Sequence, residues 1–255
     1  MQRVLFHDTI FGPIHSRRLG SSLGVNLSPN DGKICSFDCL YCEAGFNAQG
    51  PGTTGFPSRQ DVRNRLRDKL EELKRENQPL DVITFSGNGE PTLHPEFAGI
   101  IDDTLSLRDK FFPNVKISVL TNSTRLHKPA ICDALRKVDN NILKLDSAIE
   151  ATMRQIDRPA SSDFTVEKVV EQLSAFAGQG IIQTMILRGE NINNSTSEEI
   201  DALISAYKRI KPRSIMIYSI DRKTPDETLR AVNHDELSEI ASRIERETSI
   251  PVSVA

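Results

Sequence analysis

Apolar positions along the 255-residue chain follow two periods in turn. Compact apolar runs of strand length, such as Val82-Ile-Thr-Phe85, alternate with longer stretches in which apolar residues recur every three or four positions, as at Val62, Leu66, Leu70 and Leu73. The first kind predicts buried strands and the second amphipathic helices. In order, the pattern predicts a short strand at Val25-Asn-Leu27, a helix opened by Ser58-Arg-Gln-Asp61 and running to about Asn77, the strand Asp81 to Ser86, and a helix from about Pro95 to Arg108. The strand Val115 to Asn122, a short helix over Pro129 to Lys137 and the strand Asn141 to Ser147 follow. A helix from about Val166 to Ala177 is closed by Gly178 and Gly180, ahead of the strand Ile181 to Arg188. The acidic turn after Ser197 starts a helix that ends before Pro212; the strand Ser214 to Ile220, a helix from about His234 to Glu247 and the extended piece Ile250 to Val254 complete the chain.

Six strand-then-helix units in sequence predict an α/β fold, a partial (β/α)6 barrel of parallel strands with outer helices. The expectation is a single domain over residues 1–255, in which turn-rich residues 1–24 form an N-terminal extension on a barrel of residues 25–255. Folds of this kind gather ligands at the carboxyl ends of their strands. There the chain places a cysteine-rich loop, then Gly87 to Glu90, Thr121 to Ser123, Asp146-Ser147, Arg188 to Asn191 and Asp221-Arg222.

Composition narrows the function classes. The net charge of −3 and pI near 6.0 give no general attraction for nucleic acid, and no apolar run is long enough for a membrane span. The N-terminal residues lack the basic-then-apolar build of a signal peptide, so a cytoplasmic protein is expected.

Three of the four cysteines crowd into Cys35-Ser-Phe-Asp-Cys39-Leu-Tyr-Cys42, with only Cys132 elsewhere, which is no disulfide framework. Three thiolates at this spacing can converge on one metal centre and leave a coordination place open for chemistry. Zinc with a His or Cys132 as fourth ligand, or plain buried thiols, are the alternative readings, although a structural zinc site usually brings a second ligand pair.

The CxxxCxxC spacing with Tyr41 before the third cysteine resembles the signature of the radical S-adenosylmethionine (radical SAM) superfamily. Gly87-Asn88-Gly89-Glu90-Pro91-Thr92 is similar to that superfamily's Gly-Gly-Glu motif. The resemblance implies a 4Fe-4S cluster on Cys35, Cys39 and Cys42, with S-adenosyl-L-methionine on its open iron, cleaved to a 5′-deoxyadenosyl radical that abstracts hydrogen from a substrate. It implies cofactor contacts at Tyr41 near the adenine and along Gly87, Asn88, Gly89 and Glu90, with Gly87 and Glu90 taking the methionine ammonium. Asn122 and Asp146 are further cofactor candidates, or helix caps. An electron donor such as flavodoxin or ferredoxin is implied as partner.

Within the superfamily, His15 to Val25 and Tyr218 to Pro225 are similar to a group related to the wyosine-forming tRNA enzymes, so the substrate is a small molecule or tRNA. Those enzymes carry a second cluster on N-terminal cysteines, and no cysteine precedes Cys35 here. An activator of glycyl-radical enzymes is another reading of the same chemistry, and a zinc-binding module is the non-enzyme reading.

Strand alternation adds residues of its own. Leu143 and Leu145 suit the helix-packed face, which turns Ile142, Lys144 and Asp146 into the barrel. Lys144 is therefore a catalytic candidate, holding an anionic group or forming a Schiff base if burial lowers its pKa, or else a salt-bridge partner of Asp146 or Glu90. Gln183 and Met185 face inward by the same parity, Met185 as an apolar wall for adenine or as core filling. Arg17, Arg18 and Arg222 are candidate anion contacts or surface ion pairs; His94 suits a structural hydrogen bond and Cys132 a buried small hydrophobe.

Overall fold

A computed structural model describes residues 3–16 and 19–255. Arg17 and Arg18 lie outside the described residues. The strands are β1 (Ile10–Ser16), β2 (Gly20–Val25), β3 (Val82–Phe85), β4 (Lys116–Thr121), β5 (Asn140–Lys144), β6 (Ile181–Met185), β7 (Leu187–Arg188), β8 (Ser214–Tyr218), β9 (Arg230–Ala231) and β10 (Val252–Val254). The helices are α1 (Arg59–Arg75), α2 (Phe97–Phe111), α3 (Pro129–Lys137), α4 (Glu150–Asp157), α5 (Val166–Ser174), α6 (Ser197–Ile210) and α7 (His234–Thr248).

Eight strands form one sheet in the order β1-β2-β3-β4-β5-β6-β8-β10. From β2 onward every neighbouring pair is parallel, whereas β1 returns antiparallel on β2. The sheet stays open, since β1 and β10 are its two ends, and β7 pairs with β9 in a separate ribbon. This is the expected α/β architecture with two changes. The first barrel strand is Gly20–Val25 rather than Val25 to Leu27, so the barrel begins inside the stretch expected to be an extension, and that stretch also supplies an edge strand. The last extended piece is β10, a seventh parallel strand beside β8.

Parity explains the layering. Leu23, Ile83 and Ile117 lie in register on one face, as do Leu143, Ile182 and Ile215, and all six are buried in the core shared with the outer helices. The opposite face carries Ser22, Thr84, Lys144, Gln183 and Tyr218, so the barrel interior is polar and open to chemistry. Each helix presents one apolar stripe to the sheet: Val62, Leu66, Leu70 and Leu73 from α1, and Ile200, Leu203, Ile204 and Tyr207 from α6. Ser58, Thr165, Thr196 and Asn233 cap α1, α5, α6 and α7 by accepting the backbone N–H three residues on. No helix among the described residues is long and apolar enough to cross a membrane.

α4 is the helix that periodicity did not predict. It has eight residues and buries only Met153, Ile156 and Asp157, and it ends where Arg158 takes a positive φ of 48° ahead of Pro159. Its C-terminal end supports the cysteine loop.

Phe85 is fully buried at the end of β3 and meets Phe97 of α2 edge-on at 6.4 Å between ring centroids. Phe85→Ala should lower unfolding free energy by about 3–5 kcal/mol, read as a reduced urea midpoint at unchanged slope.

Candidate active site

The cysteine loop leaves β2 and is pinned at its start to the turn after β3. Ile34 N–H donates to the carbonyl of Asn88 at 3.1 Å, and Glu90 N–H donates to the carbonyl of Ile34 at 3.0 Å, forming a one-residue parallel bridge between Ile34 and Gly89. This contact accounts for the glycines of Gly87-Asn88-Gly89. A Cβ on Gly89, whose φ is +150°, would lie 1.9 Å from the Ile34 carbonyl oxygen, and one on Gly87 would lie 2.2 Å from Oδ1 of Asn26.

The far side of the loop rests on α4 and the residues after it. Asp38 N–H donates to the Asp157 carbonyl at 3.0 Å, Leu40 N–H to the Ile156 carbonyl at 3.0 Å, and Ala160 N–H to the Ser36 carbonyl at 2.9 Å. Within the loop, Lys33 is buried and spans it, donating to the Gly45 carbonyl at 2.7 Å and facing Asp38 at 3.7 Å. Asp38 also accepts from Asn47 N–H at 2.6 Å.

The three thiols are free, half-buried, and close enough to influence one another's ionisation. Burial pushes the Cys35 thiol up to about 12, with the Glu90 carboxylate adding to the push, and raises Cys39 well above the ordinary thiol value. No three His, Cys, Asp or Glu side chains among the described residues are disposed to hold a single metal ion.

Glu90 supplies the second half of the site. It is 3% exposed, and its carboxylate accepts from Thr92 N–H, Thr92 Oγ1, Thr121 Oγ1 and Asn122 N–H at 2.6–3.0 Å. Burial raises its pKa against these hydrogen bonds, and the largest influences on it come from burial and neutral donors. A buried carboxylate with its neutral donors in place and no ion pair among the described residues fits a ligand that brings an ammonium. Asn122 joins the halves: its backbone N–H goes to Glu90, while Nδ2 donates to Ser36 Oγ at 2.9 Å and approaches Cys35 Sγ at 3.6 Å.

Asn88 departs from the cofactor contact expected of it. Its side chain is fully buried and donates to the carbonyls of Phe6 and Pro29, at 2.8 and 2.9 Å, while its Oδ1 accepts Phe6 N–H at 2.8 Å. With its carbonyl also taken by Ile34, Asn88 braces the N-terminal segment against the turn.

On the interior face Lys144 pairs with Asp146, with the hydroxyl of Tyr41, and with Asp157 at 3.0 Å. Burial alone would lower the Lys144 pKa, yet Asp146 and Asp157 together hold it well above the ordinary lysine value. The Schiff-base reading of Lys144 is tied to a pKa lowered by burial, and the ion pairs to Asp146 and Asp157 match the salt-bridge alternative instead. Asp157, which the sequence reading missed, is pushed above the ordinary carboxylate range by burial, with the Lys144 ammonium opposing that push; it also accepts from the Cys39 thiol at 3.7 Å. Asp146 is equally committed, its Oδ1 accepting Met185 N–H at 3.0 Å and its Oδ2 the Tyr41 hydroxyl. Met185 packs with Ile156, Leu187 and Leu229, with Tyr41 and Tyr218 alongside, so it forms part of an apolar wall. Asn194, buried and also missed, donates to the carbonyls of Asp146 and Met185 at 2.8 and 2.7 Å and so fixes the ends of β5 and β6.

The remaining candidates are structural. Arg222 pairs with Glu43 on the surface at 2.7 Å, and Arg188 pairs with Glu236 of α7. Cys132 is buried and donates to the Leu126 carbonyl at 3.0 Å. His94 contacts the Pro57 carbonyl through Nε2 at 2.7 Å and accepts Glu96 N–H at Nδ1 at 3.1 Å, so its neutral form is the one that fits.

Comparison with known proteins agrees with this geometry. The family profile described as the radical SAM superfamily matches residues 30–203, more than half of the chain. A protein named GTPase Obg from Brachyspira hyodysenteriae is 30% identical over 96% of this chain and 35% of its own length, and a UPF0026 protein from Helicobacter pylori is 30% identical over 84% of this chain and 66% of its own. The chain thus spans about a third to two thirds of these relatives, and it contains no G-x-x-x-x-G-K-S/T phosphate loop. Among solved structures, TYW1 with a lysine-pyruvate adduct bound superposes with a TM-score of 0.64 at 17% identity, covering 91% of this chain and 76% of that one. Streptococcus suis SuiB bound to S-adenosylmethionine gives 0.65 at 13% identity over 91% of this chain and 50% of that one. These likenesses establish a shared fold.

Two outcomes test the local account. Gly89→Ala should cost about 2 kcal/mol or more and expose the loop, read as a lower melting temperature and faster reaction of the three thiols with a disulfide reagent. Burial holds the His94 pKa below the ordinary imidazole value of 6.5, so its contribution to stability is complete above that pH and is lost as pH falls through the folded value. His94→Gln should therefore flatten the fall of the urea midpoint below pH 6.5 relative to the parent protein.

Proposed function

The chain belongs to the radical SAM superfamily, and we propose that Cys35, Cys39 and Cys42 hold its 4Fe-4S cluster while Glu90 and Gly87 receive the methionine ammonium of S-adenosylmethionine. The superfamily uses that pair of cofactors, so SAM-dependent radical chemistry is the activity class, with a reductant and a substrate as its partners. When bound and reduced by one electron, the pair supplies a 5′-deoxyadenosyl radical and free methionine, and the radical takes a hydrogen atom from a substrate.

The observation that carries the reading is the buried carboxylate of Glu90, bonded by neutral donors with no ion pair among the described residues and tied through Asn122 to Cys35 and Ser36. Glu90 is held ready by donors from two strand ends, so a cationic group can be bound without rearrangement. Tyr41 and Met185 supply apolar surface on the interior side, where a flat ring would be sheltered from water. Lys144, Asp146 and Asp157 keep the loop carrying Cys39 and Tyr41 fixed against β5 and α4. They act as positioning residues.

The substrate follows less directly. A lysine-pyruvate adduct belongs to the TYW1 structure by its description and is not carried to this chain, where Lys144 is committed to two carboxylates.

Anaerobic reconstitution with iron and sulfide should give a brown protein that, with dithionite and S-adenosylmethionine, releases 5′-deoxyadenosine; Cys39→Ala should abolish both colour and product. Glu90→Gln should keep the colour and weaken S-adenosylmethionine binding about tenfold or more, measured by equilibrium dialysis. Stoichiometric zinc with no iron uptake would contradict the reading.

A further inference from the structure

A cavity of about 420 Å³ opens beside Ser36 and shares no residue with the Tyr41–Lys144–Asp146–Asp157 network. Three of its lining residues are Arg125 and His127, from the loop after β4, and Lys168 of α5. We propose that this cavity is a binding site for the phosphate or carboxylate group of a small-molecule ligand, with Arg125 and Lys168 as its cations and His127 as a further polar contact.

The charges are what single it out. Several other arginines are held by carboxylates: Arg59 and Arg63 by Asp103, Arg209 by Glu167, Arg243 by Asp201 and Glu247. Arg125 is half-buried, and its Nε is shielded from solvent with no hydrogen-bond partner among the described residues. No side-chain nitrogen of Arg125 meets an acceptor among the described residues, and an anion in the cavity would supply one to the guanidinium's terminal nitrogens. Lys168 donates only to the backbone carbonyl of Asp163, at 3.0 Å, and His127 Nδ1 faces the carbonyl of Thr124 at 3.2 Å. Neither has a carboxylate partner among the described residues, although Asp163 shares the lining and limits the net positive charge.

The rest of the lining suits a small ligand. Ser36 Oγ and Thr124 Oγ1, 2.6 Å apart, are bonded to each other and to the Asn122 side chain and form a fixed polar edge, while Leu93 and Phe164 provide apolar walls for a ligand body. Ser36 follows Cys35 directly, and Asn122 Nδ2 reaches both, so occupancy would be felt at the cysteine loop. The proposal does not depend on the cluster assignment, since no cysteine lines the cavity.

The full chain is titrated with inorganic phosphate and, separately, with succinate, by calorimetry and by the proton NMR signal of the His127 C2–H. Saturable binding of at least one anion with a shift of that signal is expected; which anion binds identifies the site as one for phosphate or for carboxylate. Arg125→Gln combined with Lys168→Gln should weaken binding about tenfold or more, whereas Arg246→Gln, at an exposed arginine on α7, should leave it unchanged. The proposal is overturned by either anion failing to give both heat and a His127 shift in the parent protein when the other fails too, by unchanged affinity in the double variant, or by equal weakening in Arg246→Gln.

Discussion

The Ile34–Gly89 bridge puts two distant segments of chain in contact through two backbone hydrogen bonds, and the site's geometry depends on it. One residue beyond Ile34 is Cys35, and one residue beyond Gly89 is Glu90. Because the bonds are made by backbone groups, the offset between thiol and carboxylate is set by peptide geometry rather than by flexible side chains. The bridge requires a residue without a Cβ at position 89, and the parallel pairing of β2 with β3 brings the two segments to the same end of the sheet. Asn88 adds a third segment by fastening Phe6 beneath the turn.

Around this bridge the buried charges divide into two unlike groups. Lys144 meets two carboxylates and a tyrosine hydroxyl, so its charge is satisfied within the protein and serves to fix the loop against β5 and α4. Glu90 meets only neutral donors, so its charge is left for a cation from outside. Desolvation makes an uncompensated buried charge expensive, which is why the ion-paired group reads as structural and the one held by neutral donors as binding. The Arg125 guanidinium repeats that contrast with the opposite sign in the cavity beside Ser36.

Much of this was legible in the sequence because its signals are local. The cysteine spacing, the Gly87–Glu90 turn and the inward parity of Lys144, Asp146 and Met185 follow from neighbouring residues, and α3 runs over the expected Pro129–Lys137. What was missed depends on partners far along the chain. Asp157 sits on α4, a helix too short for its period to show, although Ser147 three residues before Glu150 and Pro159 after Arg158 mark its limits. The role of Asn88 lies in a contact with Phe6, 82 residues away, which no local pattern reveals. Gly20–Val25 was taken for an extension because its serines and glycines mask a strand, a composition that makes sense once Phe11 is seen to lie against Gly24. For Lys144 parity gave the direction of the side chain, whereas its ion pair with Asp157 depends on α4 and could not be read locally.

The central claim is that the three thiolates leave one iron open and that Glu90 brings S-adenosylmethionine to it. Electron paramagnetic resonance of the reconstituted, dithionite-reduced protein, recorded before and after adding S-adenosylmethionine, addresses this directly. The account predicts a reduced-cluster signal whose g-values shift on addition in the parent protein and shift less at the same concentration in Glu90→Gln. A reduced cluster whose spectrum is unchanged by saturating S-adenosylmethionine would contradict it.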